Sequence, residues 1–215
     1  MRTSGSVRAA SPRRSSNERR PSTNWWPIAL LGAAVGVGIL IAIFAFISNR
    51  PPAGGGQTLW PADPPGLQGR LEAAGLQVLN AEGQVQHTHQ HLDLYVDGAH
   101  VTIPAGIGID SAAGIIAPIH THDTSGIIHV ESPVVRDFTL GQLFAVWGVR
   151  FDAHCLGDNC DGSGRVLTVD VNGQPFTGDP TTLVLQAHAE IVVAIGTAGQ
   201  LPSPMPSSYQ FPVGY

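Results

Sequence analysis

Charge is missing from one long stretch of this chain and lopsided in the rest. Residues 25–47, WWPIALLGAAVGVGILIAIFAFI, are 23 positions with no ionisable side chain. At about 1.5 Å of rise per residue a helix of that length covers roughly 34 Å, enough for a hydrocarbon core of about 30 Å. A cleavable signal peptide carries an apolar region of about 7 to 15 residues followed by small residues at a cut site. This run is longer and ends in SNRPP, so the expectation is an uncleaved transmembrane anchor over 25–48. Beyond it positive charge is scarce: residues 49–215 hold five arginines against fifteen acids, a net of −10, whereas Arg2, Arg8, Arg13, Arg14, Arg19 and Arg20 give residues 1–24 a net of +5. Arginine ahead of the anchor holds the amino terminus in the cytoplasm and leaves the acidic remainder extracytoplasmic. An acidic domain repels nucleic acid, which is excluded as a partner, and attracts cations.

Soft metal ligands are scarce too. Beyond the anchor there is one methionine, Met205, and there are two cysteines, Cys155 and Cys160, in AHCLGDNCDG. A Cu(I) site draws on several thioethers or thiolates, so Cu(I) trafficking is disfavoured. Outside the cytoplasm two nearby cysteines are most often oxidised to each other, and a Cys155–Cys160 disulfide is expected ahead of metal ligation by the same pair. Enzyme signatures are incomplete. Gly114 followed by His120-x-His122 matches the start of a cupin motif, but its glutamate would fall near residue 126 or 127 and no second motif follows. His120-Thr-His122-Asp123 lacks the further Asp-His of metallo-β-lactamases, and Ser125 has no Gly-x-Ser-x-Gly elbow.

What is present organises into five segments: a basic, Ser-rich, disordered cytoplasmic tail over 1–24, the anchor, a Pro/Gly spacer over 49–65, an extracytoplasmic domain over 66–198, and a Pro-rich extended tail over 199–215. In the anchor, Gly32 and Gly36 form a small-x-x-x-small pair that would bring two helices close in a homodimer. In the domain, Leu67, Leu71 and Ala74 lie on one helical stripe that stops at Gly75. A second helix follows Thr139, with Leu140, Leu143, Phe144 and Trp147 on one face and Gly148 after it.

The rest alternates with period two. Asp97-Gly98 and Asn172-Gly173 predict two-residue hairpins. Closing the first sets Val96 against Ala99, Leu94 against Val101 and Leu92 against Ile103, and collects His89, His91, Asp93, Tyr95, His100 and Thr102 on the opposite face. With Asp123 to Gly126 as a four-residue turn, Ile119 meets Val130, His120 meets His129 and His122 meets Ile127. His120, His122, His129 and Glu131 then share one face. TTLVLQAHAEIVVAIG supplies two further short apolar runs. The fold class is α+β: a small, mostly antiparallel β-hairpin domain with two short helices, preceded by one transmembrane helix.

The segments IHTHDTSGIIHVESP, FTLGQLFAVWGVR, VNGQPFTGDP and PSSYQFP resemble an uncharacterised family of actinobacterial membrane-anchored or secreted His-rich proteins, and the likeness covers most of residues 85–212. It implies an envelope-facing domain and no particular activity.

All nine histidines follow the anchor. Neutral imidazole is a good ligand for Zn(II) and Cu(II), and His-x-His on a strand turns both rings to one side, where a neighbouring strand can complete a site. The candidate ligands are His89, His91, His120, His122, His129 and Glu131, and the expected function is binding of a divalent transition metal, Zn or Cu(II), at the cell membrane. Two alternatives stand beside it: an envelope interaction module whose histidines hydrogen-bond as strand residues, and a small metal-dependent or cupin-like enzyme with Glu131 as base, the balance leaning away from an enzyme. The arginine asymmetry predicts that an alkaline phosphatase reporter fused after Tyr215 is active; a reporter that works only in the cytoplasm would overturn the compartment.

Overall fold

The computed structural model describes residues 58–215. The expected cytoplasmic tail, the transmembrane segment with Gly32 and Gly36, and the spacer up to residue 57 lie outside the described residues. Among the described residues no helix is long and apolar enough to cross a membrane.

Asp97 and Gly98 both adopt positive φ, 50° and 86°, which suits the two-residue turn whose twist matches paired strands. They close β1 (Gln86–Val96) onto β2 (Ala99–Val101) in the predicted register, Val96 opposite Ala99 and Leu94 opposite Val101. The third rung, Leu92 opposite Ile103, does not form. The Leu92 N–H donates instead to the Gly126 carbonyl, because that edge of β1 is already taken by the chain entering β6 (Ile127–Ser132) and an edge holds one partner at a time.

Between them lie a small two-stranded sheet, β3 (Ile109–Asp110) with β4 (Ile115–Ile116), and β5 (Ile119–His120). The turn before β6 is held by Asp123, whose carboxylate accepts the Ser125 N–H at 2.8 Å. Ile119 falls opposite Val130 and His120 opposite His129, again as predicted. β5 ends at His120, so His122 lies in the turn rather than in a rung with Ile127.

Cys155 and Cys160 are joined as a disulfide across β7 (Cys155–Leu156) and β8 (Asn159–Cys160). Asn172 and Gly173 turn β9 (Arg165–Val171) into β10 (Gln174–Pro175). Of the two apolar runs after Thr181, only the second becomes a strand, β11 (Glu190–Thr197). The first follows a 3-10 turn, Pro180–Thr182, and makes a single bridge from Val184 to Thr139.

The main sheet runs β10-β9-β11-β1-β6-β5, with β2 also on β1. Most pairs are antiparallel, as expected, but β1 and β11 run parallel, His91 beside Glu190 through Val96 beside Ile195. Hairpin signals report only antiparallel neighbours, and this partner lies nearly a hundred residues away.

One face of the sheet is apolar. Leu92, Leu94, Ile128, Val130, Ile191 and Val193 are buried there in one core with α1 (Leu67–Ala73) and α2 (Leu140–Trp147). Thr139 caps α2: its hydroxyl accepts the Gln142 N–H while the Gln142 side chain accepts the Thr139 N–H at 3.1 Å. Trp60, within the expected spacer, meets Trp147 edge-on at 6.1 Å, so packing begins before residue 66. Leu143 is fully buried, and Leu143→Ala is expected to cost about 2–5 kcal/mol in urea denaturation, against about 1 kcal/mol for Thr139→Ala.

Candidate metal centre

Strand alternation sends His87, His89, His91 and Asp93 to the face of β1 away from the core, and His129 and Glu131 to the same face of β6. The β1–β6 register then sets His89 beside His129 and His87 beside Glu131, while β5 sets His120 on the other side of His129. Three adjacent strands therefore carry a row, His89, His129, His120, with His87 and Glu131 forming the next rung. The turn after β5 brings His122 over the row, its ring centroid 4.4 Å from that of His129.

The ring nitrogens converge. His87 Nε2 lies 3.0 Å from His89 Nε2, and His120 Nε2 lies 3.2 Å from His122 Nε2. Glu131 Oε1 is 3.2 Å from His87 Nε2, 3.2 Å from His129 Nδ1 and 4.0 Å from His120 Nε2. Two sets of donor atoms, each mutually within 4.8 Å, could hold a metal: His87, His89, His129 and Glu131, and His120, His122, His129 and Glu131.

His120 shows how the rings are aimed. Its Nδ1 is 2.9 Å from the Ala117 carbonyl, which can only accept, so Nδ1 carries the proton and Nε2 turns a bare lone pair into the cluster. A second partner that fixes tautomer and orientation in this way is what metal-ligating histidines usually have.

Burial pushes the His129 pKa down to about 3, with the neighbouring histidines His122, His120, His89 and His87 adding to it. Burial likewise lowers His120 to about 4, against the opposing bond to Ala117. His89 is lowered by burial and by His87, and the Glu131 carboxyl is raised by burial and by Glu82. At neutral pH these three rings are neutral, the form that binds metal.

His91 stands apart although it shares their strand and face. At this residue β1, still paired with Ile127 of β6 along one edge, gains β11 along the other, and His91 Nδ1 meets Glu190 Oε2 at 2.8 Å while its Nε2–H donates to the Ser125 carbonyl at 2.9 Å. Tyr209 stacks on the ring at 3.7 Å between centroids. His91 thus belongs to a separate group with Asp93 and Glu190. The turn that covers it has no room for a side chain at Gly126, where a Cβ would come within 2.7 Å of His91 Nε2.

Two residues of the cluster, His87 and Glu82, lie outside the candidate ligands of the sequence. His87 was legible, since the alternation that selects His89 and His91 selects it too. Glu82, 3.5 Å from His122, lies in an irregular segment with no pattern to place it. The tail after residue 199 has neither helix nor strand, yet Tyr215 lies over His89 and His129, at 4.5 and 5.6 Å between ring centroids. His188 anchors it, donating from Nε2 to the Tyr215 carbonyl at 3.0 Å. His154 is exposed and paired with Asp161 beside the disulfide.

Compared with known proteins, the chain matches no family model, no curated protein and no solved structure.

In the metal-free protein the unfolded chain takes up protons on His120 and His129 near pH 6.5, whereas the folded chain does so only near 4 and 3. Stability is therefore complete above about pH 6.5 and falls as the pH drops through the window below it, by at most about 1.4 kcal/mol per pH unit for each histidine. The raised Glu131 works in the opposite direction. Melting temperatures of the metal-free protein from pH 7 to pH 4.5 should fall; a flat profile would mean the rings are not held neutral.

Proposed function

We propose that this chain is a single-pass membrane-anchored protein whose extracytoplasmic domain binds a divalent transition metal through its histidine face. The reading is supported above all by the convergence of five imidazoles on one buried carboxylate. Tetrahedral zinc with Zn–N bonds of about 2.0–2.1 Å places its ligands about 3.3 Å from one another. The nitrogen pairs at 3.0 and 3.2 Å and the Glu131 contacts at 3.2 Å are close to that spacing. The donors are imidazole and carboxylate, which suit Zn(II), Cu(II) and Ni(II). Both cysteines are in the disulfide and unavailable to a metal. The anchor rests on the apolar run at 25–47 and the arginines ahead of it.

A second reading has one observation in its favour. Spacings of 3.0 and 3.2 Å also suit N–H···N hydrogen bonds between neutral rings, as an interaction module with structural histidines would have. The cupin-like alternative has less support, since the strand order runs from β10 to β5 without closing on itself.

Metal binding separates the two readings. A ligand that binds only the folded state stabilises it by about 2.7 kcal/mol at a hundredfold excess over its dissociation constant. Zn(II), Cu(II) or Ni(II) added to the purified full-length chain should raise its melting temperature. The rise should disappear in His129→Ala/Glu131→Gln and persist in His154→Ala. No rise with any of the three ions leaves the histidines as strand residues.

A further inference from the structure

Resting on the metal-binding reading, we propose that the cluster holds two divalent ions side by side, bridged by the carboxylate of Glu131. The donors outnumber what one ion of this class takes: five imidazoles and a carboxylate, where zinc in protein sites is almost always four-coordinate. They are also divided in space. His87 and His89 come from β1, with nitrogens 3.0 Å apart. His120 and His122 come from β5 and the turn after it, with nitrogens 3.2 Å apart. Each pair forms its own donor set, and the two sets overlap only in His129 and Glu131, the residues of the strand between them.

Glu131 Oε1 is the atom that faces both pairs, so a single carboxylate oxygen stands where a bridge would. Protein two-metal sites hold their ions about 3.5–4 Å apart, a span that a bridging carboxylate covers. Glu131 is the buried acid of the cluster, and its Oε1 is 3.2 Å from His87 Nε2 on one side and 4.0 Å from His120 Nε2 on the other. His129 lies between the pairs and gives its one free nitrogen to one ion. That ion receives four protein donors; the other receives two imidazoles and a carboxylate oxygen, which leaves a place for water. Two dications in proximity also need anionic charge, and Glu82 brings a second carboxylate to the side of His122.

The test is stoichiometry with the full-length chain in detergent. Native mass spectrometry and elemental analysis after zinc loading should find two ions per chain. His87→Ala/His89→Ala and His120→Ala/His122→Ala should each retain one. The single changes His87→Ala and His122→Ala, at the two partly exposed rings, give the same reading if a double variant fails to fold. Cu(II)-loaded wild type should show spin-coupled electron paramagnetic resonance with a half-field transition, and each single-site variant an ordinary mononuclear spectrum. One ion per wild-type chain, lost in both double variants, overturns the bridged pair while leaving metal binding intact. Two magnetically independent ions overturn the bridge. No zinc in the wild type removes both proposals.

Discussion

The antiparallel pairing of β1 with β6 is the constraint on which the rest of the domain depends. It fixes His89 beside His129 and Gln90 beside Ile128 in the same stroke. Strand alternation gives each residue only one of two faces, so a shift of a single position would bury imidazoles among the leucines and expose Ile128 and Val130. The apolar face, sealed by α1 and α2, thereby selects the register that assembles the polar one. The hydrophobic core is what holds the histidines in line, and the histidines need contribute nothing to the pairing themselves.

Holding them there has an electrostatic consequence. His89, His120 and His129 are almost wholly removed from water and face one another, so protonating any of them puts a cation in a poorly solvated place beside other rings. Neutral rings, by contrast, have lone pairs to direct, and the Ala117 carbonyl aims that of His120 inward. Glu131, the single carboxylate buried with them, is held against its own desolvation. The arrangement disfavours protons and suits a cation that accepts lone pairs.

The same face carries a second, different environment only one residue pair further along β1. Where β11 joins the edge of β1 opposite β6, it sets an acid, Glu190, beside His91, and the β6 partner there is Ile127 instead of an imidazole. His91 is stacked under Tyr209 and tied to Ser125, while Tyr215 reaches over His89 and His129. The carboxy-terminal tail thus spans both environments without forming a strand of its own, with Tyr209 flat on His91 and Tyr215 tilted over His89.

Local chemistry determined much of this protein in the sequence alone. Asp97-Gly98 and Asn172-Gly173 specify their turns because both positions must take positive φ. Thr139 and Gly148 bound α2 for reasons confined to its own ends. The separation of His120, His129 and Glu131 from Ile119, Ile128 and Val130 follows from one turn and the period of a strand. The disulfide follows from two cysteines five residues apart. What tertiary structure decided is which elements meet. Any amphipathic strand can pair with any other, and the entropy of closing a long loop is repaid only by burial that no local pattern records. So the parallel partner of β1, the loss of the Leu92–Ile103 rung, the inclusion of Glu82, and the departure of His91 to Glu190 were all fixed by neighbours distant in the chain.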